Sequence, residues 1–368
     1  MNASGDRQVI LVLQGGGALG AYHIGACKAL AEAGYEPDWV TGISIGAINA
    51  CIVAGNPPAQ RLAALEALWQ DISRPDGWGE VLSGPALRLF NTGSAMEALL
   101  VGQPNFFVPR VPNPLFAPTG TVEATSFYDT SPLRDTLLRH ADFARINART
   151  TRLSLGATRV TTGELVFFDN ARQPLAPEHV MASGSLPPGF PATAVDGELY
   201  WDGGCVSNTP LEAVLHDPPA GDALVFMIDL WNPCGPAPGS IDEVTWRQKQ
   251  IQYASRTTHH IEVVARQFNL QRRVALAGAA PADPAVPDAP DLVSGRLDIV
   301  HVVYQPSAEE VSNSDAEFSR PSIERRSAAG YHDMHAALAQ APWTVKHAAA
   351  VGSMVHRFTA GAMSSRVY

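Results

Sequence analysis

Apolar positions in this chain gather into short unbroken runs separated by glycine-rich turns, with no single period from end to end. Val9 to Leu13 is the first run. It enters Gly15, Gly16, Gly17 and Gly20, after which the small and apolar residues Ala21 to Ala33 lead to Gly34. Such a run fits a strand buried on both faces, followed by a tight loop and a helix. The unit then repeats: Trp39 to Ile43 reads as a strand, Ser44 as a turn, and Gly46 to Ala54 as a helix closed by Gly55. Two strand-to-helix units in succession predict an α/β fold with a mostly parallel central sheet covered by helices. Leu62 to Ile72 predicts a further helix. Gly77 to Gly120, rich in Pro, Gly and large apolar residues without a period, predicts a long irregular segment. Leu153 to Thr158 and Glu164 to Phe168 predict a hairpin across Thr162-Gly163. Glu198 to Trp201 predicts a strand entering Asp202-Gly203-Gly204, and Ala223 to Asp229 an interior strand. Beyond Pro233 the pattern predicts one long, locally basic helix over Arg247 to Val274 and a low-complexity surface loop over Ala279 to Pro290. A strand at Leu297 to Tyr304 and helices at Ser322 to Gln340 and Val345 to Met354 complete it. There is no internal repeat.

Composition narrows the class. Of 368 residues 46% are hydrophobic and 17% charged, and 26 Lys+Arg against 36 Asp+Glu leave a formal charge of -10. A chain of this size buries enough surface to fold without staples. The four cysteines (Cys27, Cys51, Cys205, Cys234) form no CxxC pair and no Cys/His ligand spacing, so neither a disulfide framework nor a metal site is indicated. An acidic balance without Lys/Arg clusters argues against nucleic acid as a partner. The polar start and the short apolar run after it predict neither a signal peptide nor a membrane span, hence a cytoplasmic protein whose membrane contact is local. Oligomeric state is not encoded in any motif here.

Three stretches carry candidate chemistry. Gly42-Ile43-Ser44-Ile45-Gly46 matches G-x-S-x-G between a strand and a helix, where a sharp turn exposes the serine hydroxyl and the helix N-terminus favours developing negative charge. The glycines after the first strand let backbone amides approach an anion. That anion is either the oxyanion of acyl transfer or, through Gly15-x-Gly17-x-x-Gly20, the pyrophosphate of a dinucleotide. A dinucleotide site wants an acid at the end of the second strand. Here Glu36 and Asp38 precede that strand and Ser44 follows it. Among eleven histidines His23, His216 and His301 are the candidates for a base, and Asp202 and Asp229, each closing a strand, are the carboxylate candidates. A third reading keeps the pocket as a non-catalytic lipid-binding scaffold. Phe106, Phe107, Leu115 and Phe116, on a proline-rich segment, suit an acyl pocket, a lipid surface or a satellite core.

In combination and in this order, the loop Gly15 to Gly20, the elbow Gly42 to Gly46 and Asp202-Gly203-Gly204 resemble the patatin-like phospholipase family. Ala182-Ser183-Gly184-Ser185-Leu186-Pro187-Pro188-Gly189-Phe190-Pro191 resembles that family's stretch ahead of the aspartate. Phe318 to Arg326 with Gly330-Tyr331 resembles the C-terminal extension of a bacterial branch. The resemblance implies a three-layer α/β/α fold with a catalytic domain over 8–233 and a helical extension over 234–368 packed on it. It also implies a Ser/Asp dyad of Ser44 and Asp202, an oxyanion hole from the amides of Gly15, Gly16 and Gly17, and no metal or organic cofactor. Many members carry Arg or Lys where this chain has Leu19, which moves the expected substrate from phospholipid toward a neutral acyl ester.

Overall fold

The computed structural model describes residues 5–75, 79–254, 257–277, 295–345 and 347–368. The strands are β1 (Gln8–Leu13), β2 (Trp39–Ile43), β3 (Val108–Pro109), β4 (Tyr128–Asp129), β5 (Arg152–Arg159), β6 (Leu165–Asp169), β7 (Thr193–Val195), β8 (Glu198–Asp202), β9 (Ala223–Asp229), β10 (Leu297–Val303), β11 (Ser353–Thr359) and β12 (Ala362–Arg366). The helices are α1 (Tyr22–Glu32), α2 (Ile45–Gly55), α3 (Pro58–Asp71), α4 (Gly84–Val101), α5 (Ser131–His140), α6 (Phe143–Asn147), α7 (Pro177–Ser183), α8 (Glu212–His216), α9 (Ile241–Ala254), α10 (Thr257–Leu276) and α11 (Arg320–Gln340).

One sheet organises the molecule, in the order β12-β11-β10-β9-β1-β2-β5-β8-β7 with β6 on β5. Its central six strands, β11 to β5, pair in parallel. Side chains of β1 alternate between two cores, as a strand covered on both faces requires. Val9, Leu11 and Leu13 join the core with α1, α2, α3 and α11, whereas Ile10 and Val12 join that of α8 and α10. The layers are therefore helix, sheet, helix.

Three expectations need correction. Part of the segment predicted irregular is helix α4, whose buried stripe is Leu87, Asn91, Ala95 and Ala98. The larger residues Leu89, Leu100 and Val101 face solvent, so size and burial are inverted and the period is hidden. The long basic helix is matched by α9 and α10 on either side of residues 255–256, which lie outside the described residues. Of the helix predicted at Val345 to Met354, residues 347–352 are turn and irregular chain and Ser353 and Met354 begin β11, which pairs in parallel with β10. The C-terminal part is thus helical and stranded together, because β10, β11 and β12 extend the same sheet. The low-complexity stretch Ala279 to Pro290 lies outside the described residues.

Candidate active site

Ser44 leaves the sheet where β2 ends, and β8 arrives to fill the place it vacates. β2 pairs with β5 as far as Ile43 opposite Gly156, and the next residue of β5, Ala157, pairs with Asp202 of the antiparallel β8. The C-terminal ends of β2 and β8 therefore meet head to head on one edge of β5, which brings Ser44 and Asp202 together although they are far apart in sequence. Ser44 has φ 57° and ψ −127° at the start of α2. The turn tolerates no side chain on either flank: a Cβ at Gly42 would lie 2.3 Å from the Gly46 carbonyl oxygen, and one at Gly46 2.2 Å from that of Leu13. Both glycines of G-x-S-x-G are sterically required.

The stretch before β8 fixes both residues. The Ser44 amide donates to the Ser183 carbonyl and to Ser183 Oγ, each at 3.1 Å, and Ser183 Oγ donates to the Gly156 carbonyl at 2.6 Å. The Asp202 amide donates to the Ser185 carbonyl at 2.9 Å. Asp202 is 1% exposed, and its Oδ1 accepts from the Gly204 amide at 2.7 Å. Burial pushes its carboxyl up to about 7, while hydrogen bonds from the Ser44 side chain and the Gly204 amide pull the other way.

The three loop glycines are not equivalent. The Gly15 amide donates to the Asn208 carbonyl at 3.3 Å, and its own carbonyl accepts from Asn208 Nδ2 at 2.9 Å and Trp231 Nε1 at 2.8 Å. Gly16 and Gly17 instead line the cavity beside Ser44, and among the described residues neither amide has a hydrogen-bond partner. Gly17, at φ 55°, is pressed against Asp315, whose carbonyl oxygen would lie 2.2 Å from a Cβ there. Leu19 is fully buried in the core and does not reach the cavity.

That cavity is about 290 Å³, and Ser44 and Asp202 open into it. Its far wall is apolar: Ile48, Leu99, Phe106, Phe107, Phe190 and Phe318. The rings of Phe106 and Phe107 pack edge-on 5.4 Å apart. At 6% and 4% exposure they are wall residues and do not reach a membrane, whereas Leu115 and Phe116 are 79% and 82% exposed. A larger groove, about 540 Å³ between α1, α3 and α11, shares no residue with this cavity.

The other candidate bases are elsewhere. His23 is buried against Asn49, 3.0 Å from its Nδ1, and burial pushes it down to about 3. His301 and Asp229 pair with each other at 2.8 Å, both buried, and His216 packs edge-on against Phe167. None of them lines the cavity. Several residues that shape the site escaped the sequence reading. Buried Gln14 donates to Thr209 Oγ1 and accepts from the amides of Leu230 and Trp231, joining the ends of β1 and β9 to the loop after β8. Asn208 and Trp231 clamp Gly15 as described. Only the proximity of Asn208 to Asp202-Gly203-Gly204 offered any signal for this group.

Comparison with known proteins places this architecture. A family model described as patatin-like phospholipase matches residues 11–215, and another described as patatin phospholipase matches 251–350. Neuropathy target esterase sws of Drosophila melanogaster is 27% identical over 317 residues, 86% of this chain and 18% of that protein. Its Drosophila erecta counterpart is 63% identical over 38 residues, 10% of this chain and 3% of that protein. The chain thus spans less than a fifth of the length of these relatives. Among solved structures, human GIVD cytosolic phospholipase A2 aligns with a TM-score of 0.44 at 12% identity, covering 91% of this chain and 59% of that one. VipD from Legionella pneumophila aligns with a TM-score of 0.41 at 16% identity, covering 91% and 67%. With its first model spanning more than half of the residues, the chain belongs to the patatin-like phospholipase family.

Proposed function

We propose that this protein is a serine acyl hydrolase acting on fatty-acyl or lipid-like esters, with Ser44 as nucleophile and Asp202 as its base. The observation that carries the reading is the buried Asp202 carboxyl brought beside a serine on a strained elbow, both opening into an apolar cavity. Ser44 Oγ attacks the acyl carbon while its proton passes to Asp202, and the amides of Gly16 and Gly17 receive the negative charge that develops on the carbonyl oxygen. Gly15, expected to share this task, instead braces the loop. The alcohol departs with the proton from Asp202, leaving an acyl-enzyme. The same carboxylate then takes a proton from the water that releases the acid. These steps draw only on groups of this chain.

The lining of Phe106, Phe107 and Phe190 suits an acyl chain. Among the described residues no helix is long and apolar enough to cross a membrane. Exposed Val111, Leu115 and Phe116, on the segment following those phenylalanines, provide a local apolar surface for contact with a lipid aggregate. We read residues 8–233 as the catalytic unit and 234–368 as an extension that also furnishes cavity residues, Tyr253, Asp315 and Phe318 among them.

A fluorophosphonate probe tests the assignment. Wild type is expected to label at Ser44 and lose esterase activity in step. Ser44→Ala is expected neither to label nor to turn over, and Asp202→Asn to lose hydrolysis with the fold intact, while Asp229→Asn remains active if folded. A lipid-binding scaffold without catalysis would leave wild type unlabelled, and a fully active Asp202→Asn would remove the dyad.

A further inference from the structure

A second cluster of ionisable side chains sits at the other end of the sheet from Ser44. Asp298 is the second residue of β10, and the start of that strand pairs with Ala223 of β9, itself level with Gln8 of β1. Ser44 follows the last residue of β2. In the parallel register of β10 and β11, Val300 lies opposite His356, so Asp298 and His356 project from one face, a diagonal step apart. His347 enters the same place from the chain preceding β11. Each of the three offers one ligand atom, and the three atoms lie within 4.8 Å of one another.

The polar accounting around these atoms is incomplete. His356 is 0% exposed, with Nδ1 2.8 Å from Ser365 Oγ, and among the described residues its Nε2 has no hydrogen-bond partner. His347 Nε2 approaches Asp298 Oδ1 at 3.3 Å without forming a hydrogen bond to it, and the two imidazoles stack at 28° with centroids 6.1 Å apart. The other carboxylate oxygen of Asp298 faces Arg7 Nη1 at 3.4 Å, which also donates to the Trp343 carbonyl at 3.2 Å. Two imidazole nitrogens and a carboxylate oxygen therefore converge where little water reaches. An unpaired ring nitrogen buried in such a place costs free energy unless something accepts its lone pair.

We propose that Asp298, His347 and His356 form a zinc site, three protein ligands with a water molecule in the fourth position. Two imidazoles and one carboxylate are a donor set that zinc takes at about 2.0–2.2 Å. The surrounding groups are those that orient such ligands. Ser365 receives the Nδ1 proton of His356 and so leaves the lone pair on Nε2, and Arg7 holds the carboxylate oxygen that does not bind. Tetrahedral ligands at these bond lengths stand about 3.3 Å apart, so the cluster must tighten by roughly an ångström. His347, on irregular chain between α11 and β11, is the member held by no strand ladder. The bound ion would clip β10, β11, the chain between α11 and β11 and the residue preceding β1 into one unit. Arg7, a cation beside the site, holds the affinity below that of an all-cysteine centre.

The test is titration of EDTA-stripped full-length protein with zinc chloride, followed by calorimetry and thermal melting, with cobalt chloride as the spectroscopic stand-in. The expected result is one zinc per chain with Kd near 1 µM or tighter, a rise in Tm of about 3–5 °C at a hundredfold excess over Kd, and intense visible cobalt bands of tetrahedral coordination. His347→Ala, the substitution least able to disturb the core, is expected to weaken binding by about 100-fold, and Ser365→Ala by about 10-fold, with circular dichroism unchanged. Absence of binding in wild type would overturn the proposal. So would binding that His347→Ala leaves intact, because the metal would then sit on other groups such as the exposed Cys205 or Cys234.

Discussion

Ser44 holds a backbone conformation that costs a non-glycine residue about 1–3 kcal/mol, and the contacts of Gly42, Gly46 and Ser183 leave it no alternative. Its partner carries the larger electrostatic load. Burial raises Asp202 from an ordinary 3.8 to about 7, so at intermediate pH the folded protein binds a proton that the unfolded chain does not. Stability from this group is therefore complete below pH ~4 and lost as pH rises through about 7, a difference of roughly 4 kcal/mol at most. In the proposed mechanism catalysis has the opposite sign, since only the carboxylate can accept the serine proton. The expectation is that kcat/KM rises about tenfold per pH unit up to near 7 and then levels. In melting experiments Asp202→Asn should gain on wild type as pH climbs from 4 to 8. A kcat/KM profile flat from pH 5 to 8 would exclude Asp202 as the base. The elbow at Ser44 was legible because a tight turn writes its glycines next to the residue it presents, whereas Asp202 was singled out from Asp229 only by the family resemblance. Gln14 and Asn208 were not legible, since each matters only through partners on other elements that the fold brings near, and Ser183 was read only as part of a family stretch, without its bonds to Ser44 and Gly156.

At the scale of elements, the segment from Asn105 to Phe116 divides its apolar residues between two tasks. Phe106 and Phe107 are both core members and cavity wall, so truncating them would mix stability with specificity. Phe107→Leu keeps most of the volume, at a cost below about 1.5 kcal/mol. Its expected effect is a larger fall in kcat/KM for long-chain than for acetyl esters. Leu115→Ser with Phe116→Ser alters only exposed positions, so Tm should hold within the equivalent of about 0.5 kcal/mol. Hydrolysis of a soluble short ester should stay unchanged, and binding to lipid vesicles should fall. Equal binding by the double variant and wild type would remove the surface-contact role. Sequence could not separate the two pairs, because the phenylalanines are equally apolar and only tertiary packing decides which way each points. The same limit hid α4, whose buried face is built of small residues, and the Asp298, His347 and His356 cluster. Its members share no local spacing, so the expectation of no metal site rested on motifs that such a cluster lacks.

For the whole molecule, the parallel strands β1, β2 and β9 and their helices were readable from unbroken apolar runs, whereas the way residues 234–368 complete them was not. β9 is buried along its full length, and β10 covers the edge it would otherwise expose. Helix α11 crosses α1 at a distance only glycine permits: a Cβ on Gly25 would lie 1.8 Å from the Ser327 carbonyl oxygen, and one on Gly330 2.0 Å from that of Tyr22. Beyond β10, Arg326 of α11 reaches the Glu310 carboxylate at 2.8 Å and the carbonyls of Ser314 and Glu317 at 3.1 and 2.9 Å. That buried centre holds the chain of Asp315, Ala316 and Phe318 against the cavity and the glycine loop. Breaking it leaves buried acids without a counter-ion, so Arg326→Met is expected to cost about 3–5 kcal/mol and to lower activity through a displaced cavity wall. Gly330→Ala should destabilise as well, by forcing α1 and α11 apart, while leaving the dyad chemically intact. The two parts of the chain then predict one unfolding event. A truncation after residue 233 would bare the β9 edge and the face of α1 that α11 covers, and is expected to yield aggregated, inactive protein. A soluble, active fragment ending there, or two separate melting transitions in the full chain, would mean that the catalytic unit folds without its extension.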